Sequence, residues 1–252
     1  MKLLWIHILL LMVGTRCFAQ DSTITNYNFW LGFEFDLNRQ KDSRWGAWAE
    51  ANIQRANFIT NTQGWYGNLG VSYHMKNYKS IAGGLALQYN VPYDDACLPY
   101  AFPDYRIWQQ FMIKNAGKIN PDFKWANRFR FEEKWLGRRY DNSTRDEGYD
   151  YFKNELTLRY LIRVLYYPTK RFGFVLNNEA FFRLASSVHG EKVFDQNRTY
   201  GGIVYAFDDE RDYRVEIGYM QQNVWNAADE RDVKVRVNHV LRIMFHIEMP
   251  SF

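Results

Sequence analysis

Two cysteines are all that the 252 residues contain, and Cys17 falls in a stretch that reads as a removable leader. Cys97 is then alone, so no internal disulfide can brace the mature chain. Histidine is nearly as scarce: His7, His74, His189, His239 and His246 are scattered, with no spacing that gathers metal ligands. The acidic clusters Asp94-Asp95 and Asp208–Asp212 read as solvated turns. Asp141-x-Ser143-x-Arg145 starts like a calcium loop and fails at its third ligand. No phosphate-binding glycine loop or nucleophile elbow occurs. No cofactor and no metal are therefore expected. The net charge of +4 becomes +2 once Lys2 and Arg16 leave with the leader (4 − 2), so a nucleic-acid partner has no electrostatic support.

Long apolar runs are missing too. The longest, Leu3–Val13, has about eleven residues against the roughly 20 that a spanning helix needs. With Lys2 before it and Cys17-Phe18-Ala19 after it, residues 1–19 read as a secretory signal peptide cleaved before Gln20. Arg16 stands where a lipoprotein signal wants a small residue. Residues 20–252 are then one exported domain. Of only six prolines, three lie between residues 90 and 103, which leaves the rest of the chain free for long strands.

What the chain has is aromatic residues and alternation. Nine Trp, 18 Tyr and 19 Phe accompany 24% charged residues and a mean hydropathy of −0.48. Residues 124–135 show how the two coexist. Lys124, Arg128, Arg130, Glu132 and Lys134 fall on one face of a strand, and Trp125, Phe129, Phe131 and Trp135 on the other. The same period of two runs from Asn28 nearly to the end. It is cleanest over Val233–Met249, where Val235, Val237, Leu241, Ile243, Phe245 and Ile247 oppose Arg236, Asn238, Arg242, His246 and Glu248. A transmembrane barrel accounts for both faces at once, with the aromatic face in lipid and the charged face in the lumen.

About eleven strands can be counted, with short links after the third, seventh and ninth and long ones after the fourth, sixth, eighth and tenth. That is the turn-and-loop rhythm of outer-membrane barrels. Bacterial barrels carry even strand numbers, and the count leaves the first strand starting on the loop side. Either one strand is misread, or the N-terminal segment threads the lumen, or the number is odd. The expected fold is all-β: an antiparallel up-and-down transmembrane β-barrel of about twelve strands (10–12) in the outer membrane. A soluble secreted β-sheet binding module is the alternative, and it would have to hide six or seven large apolar side chains per strand in one core.

Five segments recur in an order that resembles a known family: Arg106-x-Trp108-Gln109-Gln110, Arg128-Phe129-Arg130-Phe131-Glu132, Asn178-Glu179-x-Phe181, Phe194-Asp195-Gln196-Asn197-Arg198-x-Tyr200-x-Gly202 and Glu216-x-Gly218-Tyr219-Met220. The chain resembles an uncharacterised family of secreted bacterial proteins, a domain of unknown function held to form outer-membrane β-barrels. The resemblance implies that location and fold, and transfers no activity.

The candidate site is the lumenal charge set: Arg106, Arg128, Arg130, Glu132, Glu155, Arg159, Arg163, Glu179, Arg183, Arg198, Arg214, Glu216, Arg236 and Arg242, with Glu34 and Glu50 in the same phase. Arginine's planar fork matches carboxylates, so these residues can form a lattice that braces a small barrel or selects a small solute or ion. A structural role is favoured, because inward-reaching arginines leave little open width. The enzymatic alternative, an outer-membrane lipid hydrolase, has one candidate pair, Ser72-x-His74, in reversed order. The aromatic link Tyr93, Tyr100, Phe102 and Tyr105 reads as a membrane-interface girdle or, less readily, a glycan or partner surface. Expected partners are outer-membrane lipid and the barrel-assembly machinery, the latter through a C-terminal strand ending at Phe252. Pro250 interrupts that signal, and its apolar phase ends at Met249.

Overall fold

The computed structural model describes residues 23–39, 44–76, 78–94, 97–115, 120, 122–140, 149–186, 193–225 and 235–250. The expected signal peptide, the calcium-like loop at 141–145, His189-Gly190 and Phe252 lie outside them. Eleven strands follow one another. They are β1 (Thr23–Arg39), β2 (Trp45–Ala56), β3 (Asn61–His74), β4 (Lys79–Asn90), β5 (Phe102–Asn115), β6 (Phe123–Arg138), β7 (Tyr151–Tyr166), β8 (Phe172–Ser186), β9 (Phe194–Ala206), β10 (Tyr213–Val224) and β11 (Val235–Pro250).

Each strand pairs with its sequence neighbours, and β11 returns to β1, closing the sheet into a barrel with no free edge. The expectation of twelve antiparallel strands is corrected in two ways. The count is eleven, and β1 and β11 run parallel, from Thr23 beside Val235 to Asp36 beside Glu248. The two facts are one. An up-and-down meander with an odd strand number cannot close without one parallel pair, and of the three ways out of the parity problem the odd number is the one present. The amino end of β1 and the carboxyl end of β11 therefore lie at opposite ends of the barrel. β1 also begins five residues before the strand read from Asn28. Thr23, Thr25, Asn26 and Asn28 carry no apolar alternation, but their backbone pairs with β11, and Asn26 Nδ2 donates to Asn238 Oδ1 at 3.1 Å.

The tight turns share one end of the barrel. There Arg211, in the β9–β10 turn, binds both the β7–β8 turn and the β5–β6 link. It donates to Lys170 O at 2.9 Å and to Asp122 Oδ1 at 3.0 Å, and it lies 3.9 Å from the centre of the Tyr167 ring. The opposite end carries the longer links and the four-residue turn 57–60. That turn is held by Arg55, which donates to Ile59 O at 3.1 and 3.0 Å and to Thr62 Oγ1 at 2.7 Å.

Alternation sorts side chains as the pleat requires. Outward positions are large and apolar: Phe33, Ile53, Leu69, Val71, Ile81, Leu85, Phe174, Ile203 and Ile217 are all about half exposed or more. Aromatic residues collect at both ends of this outer surface. Trp45 and Tyr73 meet edge to face at 5.1 Å near the tight-turn end, as Trp65 and Tyr89 stack at 6.0 Å near the other. The ten steps from Trp125 to Trp135 along β6 rise roughly 25 Å at ~3.3 Å per residue and a tilt of about 40°.

The interior holds two apolar islands. One is Trp30, Leu165, Tyr167, Val175, Tyr200, Val204, Met220 and Val240; the other is Tyr66, Ala86 and Trp108, with Trp48 and Ala82 against it. Trp108 owes its place to glycine. A Cβ at Gly70 would lie 2.5 Å from its ring, and one at Gly84 would lie 2.7 Å from the ring and 2.0 Å from Leu69 O. Charged residues occupy the space between the islands.

Candidate functional site

Eleven strands about 4.8 Å apart and tilted about 40° enclose a backbone radius of roughly 11 Å. Arginines reaching inward from facing strands must meet, and they do. Glu132, on β6 and fully buried, accepts from Arg159 of β7 at 2.6 Å and from Arg106 of β5 at 3.3 Å, with Arg130 at 3.8 Å. Glu179, on β8, accepts from Arg159 at 3.0 and 2.8 Å and from Arg128 at 2.7 Å. Arg106 also grips Asp104 at 2.5 Å and Gln88 at 2.6 Å. Arg130 has a different environment. Its guanidinium lies between the rings of Trp48 and Trp108, 5.0 and 4.5 Å from their centres, and donates to Gln110 at 2.7 Å.

Around this centre run smaller clusters. Lys134 and Arg183 share Glu155 at 3.2 and 2.8 Å, and Arg183 also reaches Asp195 at 2.6 Å. Arg163 pairs with fully buried Glu216, which faces His246 Nε2 at 3.2 Å; His246 Nδ1 faces Glu34 at 3.3 Å, and Trp48 Nε1 donates to Glu34 at 3.2 Å. Arg214 meets Glu248 at 2.7 Å, and Arg236 meets Asp94 at 2.9 Å. Arg198 lies on Trp30 and Phe181, and Arg242 on Tyr200. The charged residues proposed from the sequence thus project inward; Arg106, Arg128, Arg130, Glu132, Arg159 and Glu179 join one connected network across β5–β8, and the others form the smaller clusters or lie on aromatic rings. Removing two charges from water is offset here only because each carboxylate is shared by two or more donors.

The link of residues 91–101 departs most from expectation. In place of an outward aromatic girdle, Tyr93, Asp94 and Tyr100 fold inward over the end of the barrel that carries the long links. Asp94 accepts from Asn26 of β1 at 2.7 Å and binds Arg236 of β11, Tyr93 Oη contacts Asn238 at 3.3 Å, and Tyr100, 2% exposed, accepts from the Arg139 amide at 3.0 Å. The link leaves β4 and reaches β1 and β11, so it spans the opening. Burial pushes the Tyr93 hydroxyl up to about 12 and raises the Cys97 thiol, which keeps both neutral at ordinary pH. Tyr105 alone of the four aromatics faces outward from a strand.

Below the cap is a layer of amides: Trp30 Nε1 donates to Gln63 at 2.8 Å, Asn238 to Gln222 at 3.0 Å and Asn68 to the Tyr66 hydroxyl at 2.7 Å. Beyond that layer the lumen opens into a cavity of about 920 Å³. Tyr78, Lys79, Lys114 and Lys124 line it near the tight turns, and Gln88, Arg106 and Arg198 line its depth. It is a vestibule facing the tight-turn end. Asp94, Gln88, Gln110 and the lumenal tryptophans were missed as site residues. The tryptophans stood in the lumenal phase and could have been found; Asp94 gave no signal, because its partners lie 68 and 142 positions away.

Ser72 Oγ and His74 Nε2 are 3.1 Å apart near the vestibule mouth, the serine buried and the histidine half-buried. Among the described residues no carboxylate is within hydrogen-bond distance of the imidazole. No group of three or more metal-ligating side chains occurs among the described residues.

Fold and site together define a closed β-barrel with an ion-paired, partly filled lumen. The chain belongs to the family described as Protein of unknown function (DUF2490), whose profile matches residues 27–233 and so spans all the ordered motifs noted in the sequence. No curated protein and no solved structure matches the chain.

Proposed function

We propose that the protein is an outer-membrane β-barrel whose lumen is braced by its Arg/Glu lattice and capped on the long-link side, with a structural or narrow-permeation role. The observation that carries this reading is the outer surface. Apolar side chains cover the middle of the strands, and aromatic pairs stand at two levels eight ladder steps, or roughly 20 Å, apart, close to the ~25 Å apolar band of such barrels. A water-soluble barrel of this size would reverse the two faces, with apolar residues inside and charges outside. With the tight turns on the periplasmic side, the vestibule faces the periplasm and the cap faces outward.

The test is fractionation with gel electrophoresis. The full chain is expected in the outer-membrane fraction, migrating as a compact band without boiling and as a slower, unfolded one after it. Recovery from the periplasm without detergent, with mobility indifferent to boiling, would support a soluble β-sheet module in its place.

A further inference from the structure

The arginines that line the vestibule fall into two sets. Arg106, Arg128, Arg159, Arg163 and Arg214 each have a carboxylate within 3.3 Å. Arg198 and Arg242 have none within the 4.0 Å salt-bridge distance among the described residues. Glu179 stands directly across the ladder from Arg198, but the same oxygen already serves Arg128 and Arg159. Arg198 is left with Gln196, whose side-chain oxygen, in the orientation its hydrogen bonds require, accepts at 2.5 and 3.0 Å. Arg242 has no hydrogen-bond acceptor among the described residues, and its guanidinium lies 5.2 Å over the Tyr200 ring.

The two converge. Trp30 is the ladder partner of Arg242, and the Arg198 guanidinium lies 5.2 Å over its ring, so the two arginines share one stretch of the lumenal wall. Two half-buried positive groups on one stretch of the cavity wall, each pre-oriented by an aromatic face with donors unspent, call for an anion between them. The wall beside them supplies apolar surface in Met220, Met244 and Leu161. A cavity of about 920 Å³ lies at the upper end of the size that takes small organic ligands.

The geometry points to a binding site for an organic anion, a carboxylate or phosphate head carrying an apolar body, at the depth of the vestibule on Arg198 and Arg242. The ligand enters from the tight-turn end, past Lys79, Lys114 and Lys124, which outnumber Asp36 and Glu248 there and leave a net positive mouth. The site depends on the cavity and not on the membrane reading, so the two can fail separately.

The experiment uses the detergent-purified full chain, titrated with 4-phenylbutyrate, 4-phenylbutyl phosphate and the neutral 4-phenylbutanol, and followed by tryptophan fluorescence and calorimetry. Both anions are expected to bind at least tenfold more tightly than the alcohol. Arg242→Gln and Arg198→Gln should each weaken anion binding about tenfold while leaving the alcohol unchanged. Lys134→Gln, which lies outside the cavity wall, should have no effect. Arg242→Lys keeps the charge without the fork and should bind at an intermediate level, which serves if the glutamine variants lose their compact gel mobility. Equal binding of anion and alcohol, or undiminished anion binding in a compactly folded Arg242→Gln or Arg242→Lys protein, would overturn the site.

Discussion

Replacing Glu132 with alanine is expected to destabilise the folded barrel by about 3–5 kcal/mol, the range for removing one partner of a buried ion pair. The carboxylate is fully buried and is the acceptor for both Arg159 and Arg106, with Arg130 within 3.8 Å. Its loss leaves guanidinium groups facing one another in the lumen, where little water can solvate them. Glu132→Gln should be milder, since the amide oxygen still accepts while the charge is gone. Adding Arg159→Gln to Glu132→Gln should recover part of the loss, because it removes the cation left uncompensated. Urea unfolding of the purified protein in lipid vesicles, read from the fluorescence of its tryptophans, measures all three. A Glu132→Ala barrel within 0.5 kcal/mol of wild type, on the scale where surface substitutions fall, would mean that the lattice only fills space.

The second large effect concerns topology. A tag placed immediately before Thr23 and one placed after Pro250 are expected on opposite faces of the membrane, because β1 and β11 run parallel at the seam. With tight turns in the periplasm, the first should be reached by antibody on intact cells and the second only after the outer membrane is permeabilised. Bacterial single-chain barrels generally have even strand numbers and both ends in the periplasm. Finding both tags on the same face would restore an even number and overturn the parallel seam.

The sequence made the local half of this structure legible. Along β6 and β11 every inward charge and outward aromatic could be assigned from the period of two, because that period is a property of one strand and needs no knowledge of its neighbours. The lumenal phase of Arg128, Arg130, Glu132 and Arg242 followed directly. What could not be read is what depends on distant pairing. The first residues of β1, Thr23–Tyr27, lack a regular apolar alternation, and their only ladder partner is β11. Counting strands from apolar alternation therefore gave the right rhythm without deciding parity. Asp94 read as a solvated link residue, whereas its carboxylate joins β1 to β11 across the barrel end. For the same reason the partner of each arginine was hidden. Arg198 and Arg159 carry the same charge in the same lumenal phase, yet Arg159 bridges two carboxylates and Arg198 reaches none.

The described lumen is closed at one end, by Tyr93, Asp94 and Tyr100 above the amide layer and the Arg/Glu lattice, so that it forms a vestibule and not an open channel. Single-molecule insertion into planar lipid bilayers addresses it most directly. Inserted wild-type barrels should pass no steady current under an applied voltage, while Asp94→Ala, which frees the cap from Asn26 and Arg236, should allow brief openings. A stable, ohmic conductance from the wild-type protein would contradict the claim.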